Sequence, residues 1–201
     1  MVGTPTVRIR MATAADAAGV RAIYAPIIES SVISFELVVP SEEEIASRIV
    51  DRQPLHPWLV AVRGDDTVVG YAYAGRFSGR AAYDWSVEVS AYVAESVRGR
   101  GLGRALYTAL FALLEAQGYR RAMAGITLPN AASVGLHEAL GFTAVGVFPE
   151  AGWKFDGWHD VGWWQRPIAT RDGAPTAPVP LDELAAGVVD AALEAGEAVL
   201  R

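Results

Sequence analysis

The stretch Arg98-Gly99-Arg100-Gly101-Leu102-Gly103 decides how this chain is interpreted. It follows an apolar, β-branched run that ends at Tyr92-Val93, and it precedes an amphipathic helical pattern that starts near Arg104. Three glycines within five positions allow a sharp turn that exposes several N–H groups together. Those groups lie at a predicted helix N-terminus, where unpaired N–H groups and the helix dipole favour an anion. The arginines add positive charge, so the stretch predicts a ligand that carries phosphates.

The composition sets this positive cluster apart from the rest of the chain. Of 201 residues, 52% are hydrophobic, and 17 Lys and Arg stand against 23 Asp and Glu, which gives a net charge of −6. That balance argues against a nucleic-acid partner, which needs a basic surface. The chain has no cysteine, so disulfides and thiol nucleophiles are excluded. No signal peptide and no stretch long enough to span a membrane is recognised, so we expect a cytoplasmic protein without membrane contact.

The hydrophobic patterns predict a mixed α/β fold. The expected order is strand, helix, helix and three strands, then the glycine loop, and then helix, strand, helix and two strands. This order does not alternate strictly, so it does not fit a doubly wound parallel sheet. The predicted strands cover residues 7–11, 58–62, 67–74, 85–93, 122–127, 143–148 and 161–165.

The character of the chain changes near residue 168. We therefore expect one domain over residues 1–168 and an appended segment over residues 169–201. The segment begins with a Pro-rich linker and continues as an Ala-rich helix. We expect this helix to pack either on the domain or on another subunit.

Three phosphate-binding motifs compete for the glycine loop. A P-loop needs Gly-Lys-Ser/Thr at the helix start, whereas Arg104-Ala105 follows Gly103 here. A dinucleotide fingerprint needs the spacing G-x-G-x-x-G early in a βαβ unit, which this chain lacks. The third pattern, R-x-x-G-x-G, is matched by Arg98, Gly101 and Gly103. It resembles the coenzyme A loop of the GNAT superfamily of N-acetyltransferases.

Further motifs narrow the resemblance to the phosphinothricin N-acetyltransferases and to related enzymes that act on methionine sulfoximine or sulfone. The motifs are Tyr83-Asp84-Trp85, Glu88, Leu128-Pro129-Asn130, Ser133, Leu136-His137-Glu138-Ala139-Leu140-Gly141-Phe142 and Trp158-His159-Asp160-Val161-Gly162. The likeness covers about residues 7–167. It implies the GNAT acyltransferase fold, in which helices flank a mostly antiparallel sheet with splayed strands. It also implies acetyl-CoA as co-substrate and a homodimer. Three scattered histidines give no metal-binding spacing, so we expect no metal.

Glu88 and His137 are the candidate catalytic residues. An α-amino group has a pKa near ~8, and only its neutral form attacks a thioester, so a base must accept the proton. Glu88 stands in an apolar strand just before the glycine loop, and burial there would raise its pKa toward neutrality. His137 agrees with the phosphinothricin group, and its expected role as base, acid or orienting group stays open.

The resemblance also implies a set of coenzyme-binding residues. Backbone groups of Ala91, Tyr92 and Val93 are expected to pair with the pantetheine arm as an extra strand would. The pyrophosphate is expected at the amides of Arg98, Gly99, Arg100, Gly101, Leu102 and Gly103. Asn130 and Ser133 complete this predicted set, and Asn130 equally fits the N-cap of the following helix.

A small acceptor is expected, with anionic or polar oxygens that suit arginine. Arg76 and Arg80 flank a loop between two strands, with Tyr83 adjacent, and Phe35 and Lys154 are expected to close the pocket. The expected reaction is direct attack of the acceptor's amino group on acetyl-CoA. The alternatives are a polyamine, aminoglycoside or protein N-terminus as acceptor, or a coenzyme A-binding module without catalysis.

Overall fold

The computed structural model describes residues 7–169 and 173–200 and contains one seven-stranded sheet. The strand order across the sheet is β1-β2-β3-β4-β5-β7-β6, and only the β4–β5 pair is parallel. The strands are β1 (Arg8–Met11), β2 (Trp58–Val62), β3 (Val68–Arg76), β4 (Ser86–Val93), β5 (Arg121–Thr127), β6 (Thr143–Lys154) and β7 (Gly157–Pro167). The predicted mixed sheet with mostly antiparallel strands is confirmed.

Five α-helices of the described residues cover the two faces of the sheet. They are α1 (Ala17–Ser30), α2 (Glu42–Arg52), α3 (Leu102–Gln117), α4 (Ala131–Ala139) and α5 (Val188–Ala198). Helices α1 and α2 pack on one face of the sheet and form an apolar core with it. Helix α3 packs on the opposite face and forms a second apolar core there. None of the helices in residues 7–169 and 173–200 is long and apolar enough to cross a membrane.

Helix α3 forms where the leucine spacing predicts it. Leu102, Leu106, Leu110, Leu113 and Leu114 are all buried against the sheet. The helix is bounded by two glycines in the left-handed conformation: Gly101 at its N-cap, with φ of 82°, and Gly118 at its C-cap, with φ of 92°. Glycine is favoured at both ends because other residues are strained at positive φ.

Strand β4 is paired unequally on its two sides. Its residues from Val87 to Val93 pair with β3, whereas only Ser86, Val87 and Glu88 pair with β5. Beyond Glu88 the two parallel strands separate, so the backbone edge of β4 toward its end faces no neighbouring strand. This separation is the splay that the resemblance implies.

The last helix packs on the same molecule. Helix α5 lies against α3 and β1, and the N–H of Ile9 donates to Glu197 Oε1 at 2.8 Å. Gly196 allows the close approach, since a Cβ there would lie 2.7 Å from the Ala105 carbonyl oxygen. In the described residues, α5 therefore packs on the domain of its own chain. The predicted domain boundary near residue 168 stays a prediction.

Strands β6 and β7 are longer than the predicted segments 143–148 and 161–165. The sequence Pro149-Glu150-Ala151-Gly152 reads as a break, but β6 crosses it through an irregular register between Phe148 and Gly152. Glu150 adopts a φ of 50°, and its N–H donates to Asp160 Oδ1 of β7 at 2.8 Å. This long-range bond holds the two strands together across a segment whose local pattern indicates a turn.

Candidate active site

The loop from Arg98 to Gly103 connects β4 with the first turn of α3. Gly99 and Gly101 have φ of 75° and 82°, and residues 98–101 are exposed. The N–H groups of a first helical turn have no partner within the helix. The loop therefore presents backbone donors and arginine charge to solvent, an arrangement suited to an anion.

The predicted coenzyme residues lie around the gap between β4 and β5. Ala91, Tyr92 and Val93 form the end of β4 that pairs with β3 but not with β5. The Arg98 side chain folds back so that its Nε donates to the Val93 carbonyl at 3.2 Å. A backbone edge without a strand partner is a surface on which an extended ligand can pair.

Helix α4 lies on the other side of the loop. A Cβ on Gly103 would lie 3.1 Å from Leu136 Cδ2, so the start of α3 directly contacts α4. Asn130 is the N-cap of α4, and its Oδ1 accepts a hydrogen bond from the Ser133 N–H at 3.1 Å. The predicted capping role of Asn130 is confirmed, and its amide NH₂ group is a separate donor.

Glu88 is the last β4 residue that pairs with β5, so it marks the point where the sheet opens. Its side chain is half-buried on the face covered by α1 and α2, and burial raises the pKa of its carboxyl while the Arg52 charge acts in the opposite direction. It borders a cavity of about 420 Å³ lined by Asp51, Arg52, His56, Tyr73, Gly75, Arg76, Glu88 and Ser90. A half-buried carboxylate with a raised pKa beside a cavity has the properties of a general base.

His137 is buried, and both of its ring nitrogens have partners. Nδ1 lies 2.8 Å from the Ser133 carbonyl oxygen, and Nε2 lies 3.1 Å from the hydroxyl of Tyr107. Since a carbonyl only accepts, Nδ1 carries the proton and Nε2 accepts from Tyr107. Burial lowers the pKa of His137, which favours this neutral form.

The predicted acceptor residues fall into two groups. The first group surrounds the β3–β4 connection: Arg76 Nη2 lies 2.8 Å from Asp84 Oδ1, and the Tyr83 ring packs edge-on against Phe77 at 5.8 Å. Arg80 is exposed beside them. Arg76 lines the Glu88 cavity, whereas Arg80 and Tyr83 are not among its lining residues.

The second group lies at the far end of β6. Lys154 is buried, and its Nζ donates to the Ser34 carbonyl at 2.7 Å, which ties the loop that carries Phe35 to the β6–β7 hairpin. The Phe35 ring lies directly on Gly152, where a Cβ would be only 2.1 Å from its Cε2 atom. The structure thus joins Phe35 to Lys154, but neither residue lines the Glu88 cavity.

Six of the eight lining residues are not among those predicted from the sequence, and Ser90, Tyr73 and Arg52 are three of them. Ser90 follows Glu88 by two positions, so strand alternation alone places the two side chains on one face. Tyr73 is the cross-strand partner of Ser90. Arg52 ends α2, and no local pattern connects that helix with β4. Within residues 7–169 and 173–200, no group of His, Asp and Glu side chains is arranged to hold a metal ion.

The family assignment agrees with this geometry. A model of the acetyltransferase (GNAT) domain matches residues 9–163, which is most of the chain. The chain belongs to the GNAT acetyltransferase family. This acetyltransferase is similar to the phosphinothricin N-acetyltransferase of Streptomyces viridochromogenes, with 46% identity over 173 residues that cover 86% of this chain and 93% of the relative.

Other relatives agree with that match. The L-methionine sulfoximine/L-methionine sulfone acetyltransferase of Pseudomonas aeruginosa is 36% identical over 168 residues, which cover 83% of this chain and 98% of the relative. The crystal structure of a phosphinothricin acetyltransferase from Sinorhizobium meliloti in complex with acetyl-CoA has a TM-score of 0.82 and 36% identity, and covers 89% of this chain and 98% of that chain. The protein is therefore an acetyl-CoA-dependent N-acetyltransferase, and the resemblance read from its motifs is confirmed.

Proposed function

We propose that this acetyltransferase acetylates the amino group of a small amino acid or analogue of the phosphinothricin, methionine sulfoximine or methionine sulfone type. The names of its relatives support this acceptor class. The observation that carries the proposal is the position of Glu88, half-buried beside a cavity at the point where β4 and β5 separate.

Glu88 is the general base in this proposal. It accepts the proton of the acceptor's ammonium group, directly or through water, and the free amine forms a bond to the thioester carbonyl carbon. The carbon–sulfur bond then breaks and coenzyme A leaves as its thiolate, while the nitrogen loses its second proton as the amide forms, and that proton balances the one that the thiolate takes up. Because the chain contains no cysteine, no protein thiol is available to carry the acetyl group between two steps.

We assign His137 the orienting role among the three that the sequence left open. Its Nε2 already accepts from Tyr107, its Nδ1 proton is bound to Ser133, and its lowered pKa opposes a cationic, acidic form. The hydrogen bond between Tyr107 and His137 joins α3 to α4 beside the glycine loop. His137 therefore acts as a positioning residue for these two helices.

The coenzyme is proposed to bind across the β4–β5 gap. Backbone groups of Ala91, Tyr92 and Val93 would pair with the pantetheine, and the amides of residues 98–103 would hold the pyrophosphate. Asn130 and Ser133 would border the coenzyme from α4. The support is the unpaired edge of β4 and the left-handed glycines at the helix start.

The acceptor is proposed to lie beside Glu88, between the two groups of predicted residues. Arg76, Arg80 and Tyr83 would contact its acidic or polar end from the β3–β4 connection. Phe35 would close the site from the opposite side, and Lys154 would hold the Phe35 loop through its bond to Ser34.

We also propose a homodimer formed through the outer surface of β6. This strand is the sheet edge, and every residue from 143 to 151 is exposed. Phe148 and Trp153 of β6 are 61% and 52% accessible, and Trp158 of the adjoining β7, which pairs with Trp153, is 58% accessible. Exposed apolar patches of this kind mark association surfaces. Light scattering on the purified protein should give twice the chain mass, and a monomer at all concentrations would contradict the dimer.

An acceptor panel tests the proposed reaction. Release of the coenzyme A thiol is followed with acetyl-CoA and phosphinothricin, methionine sulfoximine, methionine sulfone, spermidine or an aminoglycoside, and products are identified by mass spectrometry. We expect N-acetylation of the amino-acid analogues. Turnover confined to spermidine or the aminoglycoside, or to no amine, would refute the proposal.

A further inference from the structure

Arg52 is a half-buried cation in the Glu88 cavity, and its charge favours the ionised form of the Glu88 carboxyl. Its Cζ lies over the ring of Tyr73 at 4.8 Å and over that of Trp58 at 5.6 Å, so both aromatic faces attract the guanidinium. Among residues 7–169 and 173–200, it forms no ion pair, whereas Arg76 in the same cavity is paired with Asp84. An arginine held in this way retains its hydrogen-bond donors for a ligand.

The position of Arg52 relative to Glu88 is fixed by the sheet. Its Nη1 lies above Gly75, where a Cβ would be 3.4 Å away, and Gly75 is the register partner of Glu88 in β4. Directly opposite residues of an antiparallel pair are about 5 Å apart. The guanidinium and the candidate base therefore face the same small volume of the cavity.

We propose that Arg52 binds the α-carboxylate of the acceptor. This inference rests on the proposed function, in which the acceptor's amino group lies at Glu88. In an amino acid, one carbon separates the amine from the carboxylate, so a carboxylate must follow the amine into the cavity. Arg52 is the adjacent cation that forms no ion pair in the described part of the chain, whereas Arg76 is paired with Asp84, and a planar guanidinium matches two carboxylate oxygens. The acceptor is then selected as a free α-amino acid. Arg76 and the β3–β4 connection contact the polar group at the far end of its side chain.

Equilibrium binding tests this assignment independently of turnover. L-methionine sulfone is the probe, because its remote group is uncharged, and its α-carboxamide is the matched probe without the carboxylate. Both are titrated by calorimetry into the full-length enzyme with coenzyme A present. Arg52→Gln is expected to weaken binding of the acid about tenfold to a hundredfold, the range for a hydrogen-bonded charge. Binding of the carboxamide should change by less than about twofold, and Arg52→Lys should restore part of the loss.

Arg8→Gln is the control, since it removes the same charge from an exposed residue of β1. Equal losses for acid and carboxamide in Arg52→Gln, a loss no larger than in Arg8→Gln, or no binding of the acid by the wild type would overturn the assignment. Binding of the acid without acetylation would instead refute the proposed function and leave Arg52 as a carboxylate site.

A second, independent observation concerns the segment that precedes α5. A neighbouring cavity of about 410 Å³ shares Asp51, Arg52, His56 and Arg76 with the Glu88 cavity, and Ala177 and Pro178 form part of its wall. The segment is held in place on both sides: Trp85 Nε1 donates to the Thr176 carbonyl at 2.6 Å, and the Val179 N–H donates to the Gln117 carbonyl at 2.8 Å. These residues lie outside the range matched by the family model, which ends at residue 163.

We infer that this segment bounds the space available to the acceptor's side chain, an inference that rests on the proposed function. Ala177→Trp would fill the second cavity from its wall, whereas Ala174→Trp would place the same indole on an exposed part of the segment outside the lining residues. Ala177→Trp is expected to weaken binding of L-methionine sulfone about fivefold, because the added volume occupies the space, with coenzyme A binding unchanged. Equal effects of the two variants, or none from Ala177→Trp, would overturn the inference.

Discussion

The two glycines that bound α3 allow a matched test of the coenzyme loop. Gly101 and Gly118 have φ of 82° and 92°, and a Cβ at either position would meet no atom within 4 Å. Replacement by alanine therefore perturbs only the backbone. Left-handed alanine costs about 1–2 kcal/mol, and the stiffer unfolded chain returns about 0.4–1 kcal/mol. Each variant should thus lose between about 0 and about 1.6 kcal/mol of unfolding free energy.

Of the two variants, only Gly101→Ala is expected to weaken the binding of the coenzyme. A shift of the loop away from positive φ turns N–H groups away from the pyrophosphate, and loss of one charge-assisted hydrogen bond is worth about 1.5–3 kcal/mol. The KM for acetyl-CoA should rise about tenfold to a hundredfold in Gly101→Ala and stay unchanged in Gly118→Ala. Steady-state kinetics and urea denaturation measure both effects. Equal KM values in the two variants would refute the assignment of the loop.

Three further substitutions test contacts described above. Tyr107→Phe leaves Nε2 of His137 buried without a donor, so urea denaturation should register a loss of about 1–3 kcal/mol; an unchanged midpoint would contradict that bond. Gly152→Ala forces the Phe35 ring to move, so the KM for the acceptor should rise while that for acetyl-CoA does not. Gly196→Ala would place a Cβ 2.7 Å from a carbonyl oxygen of α3 and should cost about 1–3 kcal/mol in unfolding free energy; wild-type stability would show that α5 packs elsewhere.

Much of this fold could be predicted because its signals are local. The leucine spacing after Leu102, the glycine at residue 118 and the cap at Asn130 each act within one or two helical turns. The extent of β6 and β7 could not be predicted, because the bond from Glu150 to Asp160 joins residues from two strands. The hairpin turn adds to this difficulty, since Phe155 and Asp156 occupy positive φ without being glycine.

The residues of the candidate site likewise differ in whether a local sequence signal marks them or only tertiary packing places them. Glu88 could be found because it is a charged residue in an apolar strand near a recognisable loop. The neighbouring Arg52 could not, because it reaches Glu88 through the packing of α2 over β3. His137 was found by its motif, but its two hydrogen bonds depend on the contact between α3 and α4.

The raised pKa of Glu88 has a defined consequence for stability. Burial raises the pKa of this carboxyl in the folded state, so between its ordinary and its raised pKa the folded protein binds more protons than the unfolded chain. The contribution of Glu88 to stability is therefore present at low pH and is lost as the pH rises through the raised value. Glu88→Gln removes the charge, so this variant should be at least as stable as the wild type at neutral pH.

The dependence of kcat on pH in the wild type and in Glu88→Gln tests the central claim most directly. Wild-type kcat should fall as the pH is lowered through the raised pKa of Glu88, because the protonated carboxyl cannot accept the amine proton. Glu88→Gln should lose about 10²–10⁴-fold in kcat at neutral pH, with the KM for acetyl-CoA within about twofold of the wild type. A folded Glu88→Gln variant that retains wild-type kcat and the same pH profile would contradict the role of Glu88 as the general base.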